Sequence, residues 1–234
     1  MGLEAKVDTK NDYRILVAED AVNRLEKRVK TWGLPYPINK HRALELVHNL
    51  RSILYRLKYS FLPGELLVQS NELRELEEKT RELAGIILPR DKSFSKNPRV
   101  QLALDELKYC LWILLGLRNR FLRGEDNKPE YAVDIIGVEI VSVQKHPQAR
   151  NLWILKAGTE KYGFTVITNI AGVKKGEVRG VVILPPVEFL GVVSEAMIAS
   201  DPLSIEYKGK PVPYDKVHLG EVRNKVEEIV RSIK

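Results

Sequence analysis

The chain is 234 residues long, with 44% hydrophobic and 29% charged side chains. That balance excludes disordered and collagen-like chains and gives length for one large domain or two modest ones. A lone cysteine, Cys110, excludes an internal disulfide, and domains of roughly 100–130 residues bury enough surface to need neither disulfide nor metal. The formal net charge of +7 favours a polyanionic partner. Residues 1–128 hold 24 Lys and Arg against 18 Asp and Glu, whereas residues 129–234 hold 14 against 13. The cationic excess belongs to the first half.

Within residues 17–32, Ala18, Val22, Leu25, Val29 and Trp32 recur in steps of four and three before Gly33 and Pro35, which predicts a helix with a defined stop. A second helix is expected over 38–61, where Ala43, Leu46, Val47, Leu50, Ile53, Leu54, Leu57 and Phe61 share one face and Pro63-Gly64 follows. The third, over 70–87, sets Leu73, Leu76, Thr80, Leu83 and Ile87 on one seam. The fourth opens at Ser95-Lys96-Asn97-Pro98, with Asn97 as cap and Pro98 in the first turn. It carries Val100, Leu104, Leu107, Leu111, Leu114 and Phe121 inward and closes at Gly124. Four helices joined by short breaks read as an antiparallel bundle over residues 1–128.

Glu125-Asp126-Asn127-Lys128-Pro129 is polar and breaker-rich, a linker in composition. Beyond it the period changes to short β-branched runs at 133–143, 152–157, 164–170 and 178–184, the spacing of a small barrel or sandwich. Val222, Val226, Ile229, Val230 and Ile233 then predict a terminal helix. The expected fold class is therefore α+β multidomain: an all-α antiparallel bundle over 1–128, and a β-barrel with a terminal helix over 129–234.

The apolar run at 109–115 is far shorter than the roughly 20 residues a membrane span needs, and Cys110 inside it reads as a buried thiol. With no apolar signal core at the amino terminus, the protein is expected to stay in the cytoplasm. His41, His48, His146 and His218 have no ligand or nucleophile at catalytic spacing, and no phosphate-binding glycine loop is present. A non-catalytic protein without metal or cofactor is expected. His146 before Pro147 reads as a ring that fixes a turn.

Three segments of the second half carry a resemblance: His146-Pro147-Gln148-Ala149-Arg150-Asn151-Leu152, then Val166-Ile167-Thr168-Asn169-Ile170, then Gly191-Val192-Val193-Ser194-Glu195-Ala196-Met197. In this order and spacing, residues 133–200 resemble the tRNA-binding OB-fold domain found as a stand-alone protein and at the carboxyl end of methionyl-tRNA synthetases. The resemblance implies an OB barrel that recognises folded tRNA, with Ser194 and Met197 on its nucleic-acid face and Asn169 of the middle motif among the contacts. Read from the residues alone, Met197 is equally a core residue and Ser194 a turn cap. Where many members of that family have a basic stretch, this chain has Pro185, Pro186, Val187, Glu188, Phe189 and Leu190, and residues 129–200 balance seven Lys and Arg against seven Asp and Glu.

The barrel's remaining candidate contacts are Lys145, Arg150, Lys156, Lys174, Lys175 and Arg179, of which Lys174-Lys175-Gly176 also reads as a solvated turn. On the second predicted helix His48, Arg51, Tyr55 and Lys58 share one flank, which sets cations on phosphates with a tyrosine between them, or is simply solvated. Arg118, Arg120 and Arg123 are explained by favourable charge at a helix carboxyl end. The expected partner is tRNA, with the basic bundle assisting the barrel. The alternative is an assembly subunit that docks on an aminoacyl-tRNA synthetase or other translation protein. The terminal helix's apolar stripe predicts a homodimer, or else docks on the chain's own bundle or barrel.

Overall fold

The structure, a computed structural model, describes residues 7–89 and 97–233. It divides into two compact units, one of residues 7–89, 106–132 and 226–233, the other of 97–105 and 133–225. Among the described residues no helix is long and apolar enough to cross a membrane.

In the first unit α1 (Tyr13–Lys30) starts earlier than its apolar periodicity suggests, because the Asp12 side chain accepts the Arg14 amide and caps it. Asn39 and Ser70 cap α2 (Lys40–Lys58) and α4 (Asn71–Ile87) in the same way. Between these two lies a short helix, α3 (Gly64–Gln69), which the spacing does not predict. Ion pairs Glu19–Lys58 and Glu26–Arg51 set α1 antiparallel to α2, and Arg42–Glu82 and Arg56–Glu75 set α2 antiparallel to α4. The faces between them hold Leu25, Val29, Leu46, Leu50, Leu76 and Leu83, all fully buried.

The fourth predicted helix is two, α5 (Pro98–Leu115) and α6 (Leu117–Phe121). Asn97 accepts the Arg99 amide at 2.9 Å as its cap, while Ser95 and Lys96 lie outside the described residues. Glycine at the break, residue 116, leaves room for a returning side chain. Arg120 folds back to donate to the carbonyls of Ile113 and Trp112, and a β-carbon on residue 116 would stand 2.6 Å from its guanidinium. Arg120 thus caps the end of α5 from a buried position, adding a second bond to the Trp112 carbonyl, which already accepts the Gly116 amide. Cys110 is buried as expected, and burial pushes its thiol pKa up.

The second unit is a closed barrel of β1 (Ile135–Lys145), β2 (Trp153–Gly158), β3 (Gly163–Thr168), β4 (Val178–Phe189) and β5 (Val192–Leu203). Its strand order, β1-β2-β3-β5-β4, closes through antiparallel pairs and one parallel pair, β3 with β5. This is the five-stranded Greek-key arrangement of an OB fold. Val138, Ile140, Leu155, Val166, Val181 and Ile198 are buried within it. β4 runs through Pro185 and Pro186 because the pairing register with β5 shifts between Ile183 and Val187, so neither proline has to donate to the ladder there. Residues 205–212 cross β1 closely enough that a β-carbon on Gly137 would lie 2.1 Å from the Tyr207 carbonyl oxygen.

α7 (Leu219–Arg231) is the predicted terminal helix. Its Val222, Val226, Ile229 and Val230 are buried within the single chain. The stripe is therefore covered within one chain, as the alternative to a homodimer expects.

Candidate nucleic-acid interface

On OB barrels, oligonucleotides bind across strands 2 and 3 and the loops joining β1 to β2 and β4 to β5. In this barrel those two loops are fastened by one ring. His146 is buried at the head of the β1–β2 loop, and its Nδ1 accepts the Gln148 amide at 3.1 Å. The ring proton therefore sits on Nε2, which donates to the Phe189 carbonyl at 3.1 Å, at the tip of the β4–β5 hairpin.

Pairing register gathers candidate contacts at this end of the sheet. Lys145 lies opposite Trp153, and Trp153 opposite Thr168, so Asn169 follows beside them. Lys145, Asn169 and Arg150 of the same β1–β2 loop are exposed. Lys156 stands further along β2, where its Nζ donates to Thr165 Oγ1 at 2.7 Å, and Glu195 accepts the Thr165 amide. Lys174 and Lys175 are exposed too, but bonds from the Gly176 amide to the Ile140 carbonyl and from the Ile140 amide to Glu177 set their turn at mid-strand β1. That is about 16 Å along β1 from Lys145, so they form a separate pair.

Two sequence candidates are corrected. Arg179 is buried: its guanidinium is held by Glu177 at 2.9 and 3.0 Å and donates to the Ser200 carbonyl, leaving no face for phosphate. Ser194 is buried as well, where its hydroxyl accepts the Ile167 amide and donates to the Ala196 carbonyl, stitching β3 to β5. Half-buried Met197 pairs with Val182, itself opposite Ile135 at the start of β1, ten residues from Lys145. It does not join the Lys145 group.

The hairpin tip replaces the expected basic loop with exposed Val187, Phe189 and Leu190. Leu190 holds φ at +47° and Gly191 at +87°, the left-handed pair of a tight two-residue hairpin turn. A leucine there is strained.

On the bundle, the α2 flank separates into paired cations and open rings. Lys58 Nζ meets Glu19 at 2.6 Å with its side chain 15% exposed. Arg51 meets Glu26 at 2.6 Å and Asn23 at 2.8 Å, and His48 also faces Glu26. Glu26 is held down to about 2, first by its hydrogen bond from Lys30, against opposing burial, and then by Arg51. Lys58, largely enclosed in its pair, is corrected from phosphate contact to bundle ion pair, while Arg51 keeps its side chain 41% exposed beside Glu26. Arg28 and Arg118 are likewise paired, with Glu106 and Glu77. Arg90, Lys92 and Lys96 lie outside the described residues.

Tyr55 is 57% exposed and Tyr59, which the flank did not include, is 40% exposed, their ring centroids 4.9 Å apart. Tyr59 was legible only as the residue one turn beyond Tyr55. Among the described residues no group of three His, Cys, Asp or Glu is placed to hold a metal ion.

Comparison with known proteins bears chiefly on the helices. A family model described as "Alpha helical domain" matches residues 6–124. No curated protein matches the chain. The crystal structure of a MetRS related protein from Pyrococcus horikoshii is similar over 38% of this chain and 88% of its own, with 22% sequence identity and a TM-score of 0.29.

Proposed function

The chain belongs to the alpha helical domain family, a membership that names a fold and no activity, and we propose that it is a non-catalytic tRNA-binding protein acting through its barrel. One observation carries the reading: the two loops that OB folds use for nucleic acid are fastened by His146 at the end of the sheet where Lys145, Arg150 and Asn169 stand exposed. Basic side chains there neutralise phosphates and orient the chain, and Asn169 and the half-buried Trp153 beside them offer polar and stacking contacts. The family resemblance of residues 133–200 supplies the class of RNA, a folded tRNA.

Replacing Lys145 and Arg150 together by Ala tests this. Each lost phosphate contact lowers the logarithmic salt slope of tRNA binding by about one unit, so the double variant loses about two. An unchanged slope overturns the assignment to this end of the barrel. Exposed Val187, Phe189 and Leu190 favour the second reading, an assembly subunit docked through the hairpin on an aminoacyl-tRNA synthetase or other translation protein.

A further inference from the structure

Aromatic exposure in this molecule is concentrated. Among the described residues five aromatic side chains are exposed, and three of them, Tyr55, Tyr59 and Phe61, fall within seven positions at the carboxyl end of α2. Arg51, Tyr55 and Tyr59 are spaced four apart and so follow one ridge of the helix, rising about 6 Å per step. They border an open hollow of about 550 Å³ lined by Arg51, Ser52, Tyr55, Arg56 and Tyr59. The lining is two rings, two guanidinium groups and a hydroxyl, with no aliphatic side chain. Apart from the methylene stems of Arg51 and Arg56, the apolar surface there is aromatic. A nucleobase would find ring and guanidinium faces for its π-surface and hydroxyls and N–H groups for its edges.

The hollow is preformed. Thr9 Oγ1 donates to the Lys58 carbonyl at 2.8 Å and accepts the Phe61 amide at 3.1 Å, pinning the chain on both sides of Tyr59. Phe61 holds φ at +54° to make that bond, a left-handed conformation that disfavours a bulky residue. The Tyr55 and Tyr59 rings also lean on each other, tilted by 44°. The cations at the edge are also accounted for, Arg51 by Glu26 and Arg56 by Glu75.

We propose that Tyr55 and Tyr59, bordered by Arg51 and Arg56, form a stacking platform for unpaired nucleotides of a bound RNA. This rests on the reading that the protein binds RNA and adds a second site, on the bundle, of a different physical kind. Since its guanidinium groups are already paired with carboxylates, the platform contributes stacking without neutralising phosphate. The signature is an affinity that depends on the rings while its salt slope does not.

The test uses the full chain and two probes, bulk tRNA and a single-stranded hexaribonucleotide carrying one 2-aminopurine, titrated across a salt series. In the Tyr55→Leu, Tyr59→Leu double variant the platform predicts at least about five-fold weaker hexanucleotide binding. It also predicts loss of the 2-aminopurine quenching that stacking produces, with the salt slope unchanged. Tyr55→Phe with Tyr59→Phe keeps the rings and retains affinity within about two-fold. Both residues are exposed, so the leucine variant keeps its fold, which a melting curve checks. Wild-type affinity and quenching in the leucine variant overturn the platform and leave these rings to a protein partner. A slope reduced by about one unit overturns it in favour of phosphate contact. Failure of the barrel reading is read separately, from tRNA binding by the Lys145→Ala, Arg150→Ala variant.

Discussion

A buried imidazole with both ring nitrogens engaged is a fastener, and His146 joins the two loops through which an OB barrel would meet RNA. Substituting Ala leaves the Phe189 carbonyl and the Gln148 amide without their partner, so urea unfolding should show a loss of about 1–3 kcal/mol. Lys145→Ala, one residue away but exposed, should stay within about 0.5 kcal/mol. Glu26 gives a pH prediction. Its folded pKa of about 2 lies below the ordinary 4.5, so the stability it confers is fully present above pH 4.5 and is lost as pH falls through 2. After solvent screening that contribution is on the order of 1–2 kcal/mol. Glu26→Gln should remove this component of acid destabilisation, and a variant whose loss between pH 5 and 2 equals the wild type's contradicts it. At this scale the sequence shows residue types but not what they face. Lys58 and Arg51 stand at the right helical spacing, yet the carboxylates that claim them lie on a different helix, 39 and 25 positions away. Ser194 likewise looked available because Ile167 comes near it only in the folded barrel, whereas the partner of Arg179, Glu177, stands two positions away and only the burial of the pair belongs to the fold.

Helices whose apolar faces repeat at helical spacing were legible, and their ends followed from Asp12, Asn39, Ser70 and Asn97 more faithfully than from the hydrophobic pattern. The division at Gly116 was not, and neither was the return of Arg120 over the preceding turn that the glycine leaves room for. Strand β5 shows why periodicity alone falls short. Ser194, Glu195, Ala196, Met197, Ala199 and Ser200 have little β propensity, and the segment stood out only through its family-like motif. β4 was read too short because Pro185-Pro186 resembles a stop, whereas a shift in register absorbs it. For α7 the expected outcome is stability rather than self-association, because its four apolar side chains are buried within the chain. Deleting residues 219–234 should lower stability, because Val222, Val226, Ile229 and Val230 lose their burial and the apolar surface that covers them is exposed. Light scattering should find the same number of chains per particle before and after the deletion. A dimer that becomes monomeric would restore α7 to self-association.

Taken whole, the molecule distributes its charge differently from what residue counting suggests. The bundle holds the numerical excess, and while Arg24, Arg28, Arg42, Arg51, Arg56, Lys58 and Arg118 are paired with carboxylates, Lys10, Lys27 and Arg74 stand exposed. The barrel, nearly neutral by count, leaves Lys145, Arg150, Lys174 and Lys175 exposed. Net charge was legible in the sequence, but its accessibility was not, since that depends on which carboxylates the fold brings within reach. The central claim, that the barrel binds tRNA through a few free cations, is tested most directly by titrating the full chain with bulk tRNA and with single-stranded DNA of similar length from low to high salt. With two to four phosphates neutralised, tRNA should bind more tightly than the DNA, with a logarithmic salt slope of roughly −2 to −4; a folded protein that binds no tRNA at low salt, or binds both polymers equally, contradicts the account.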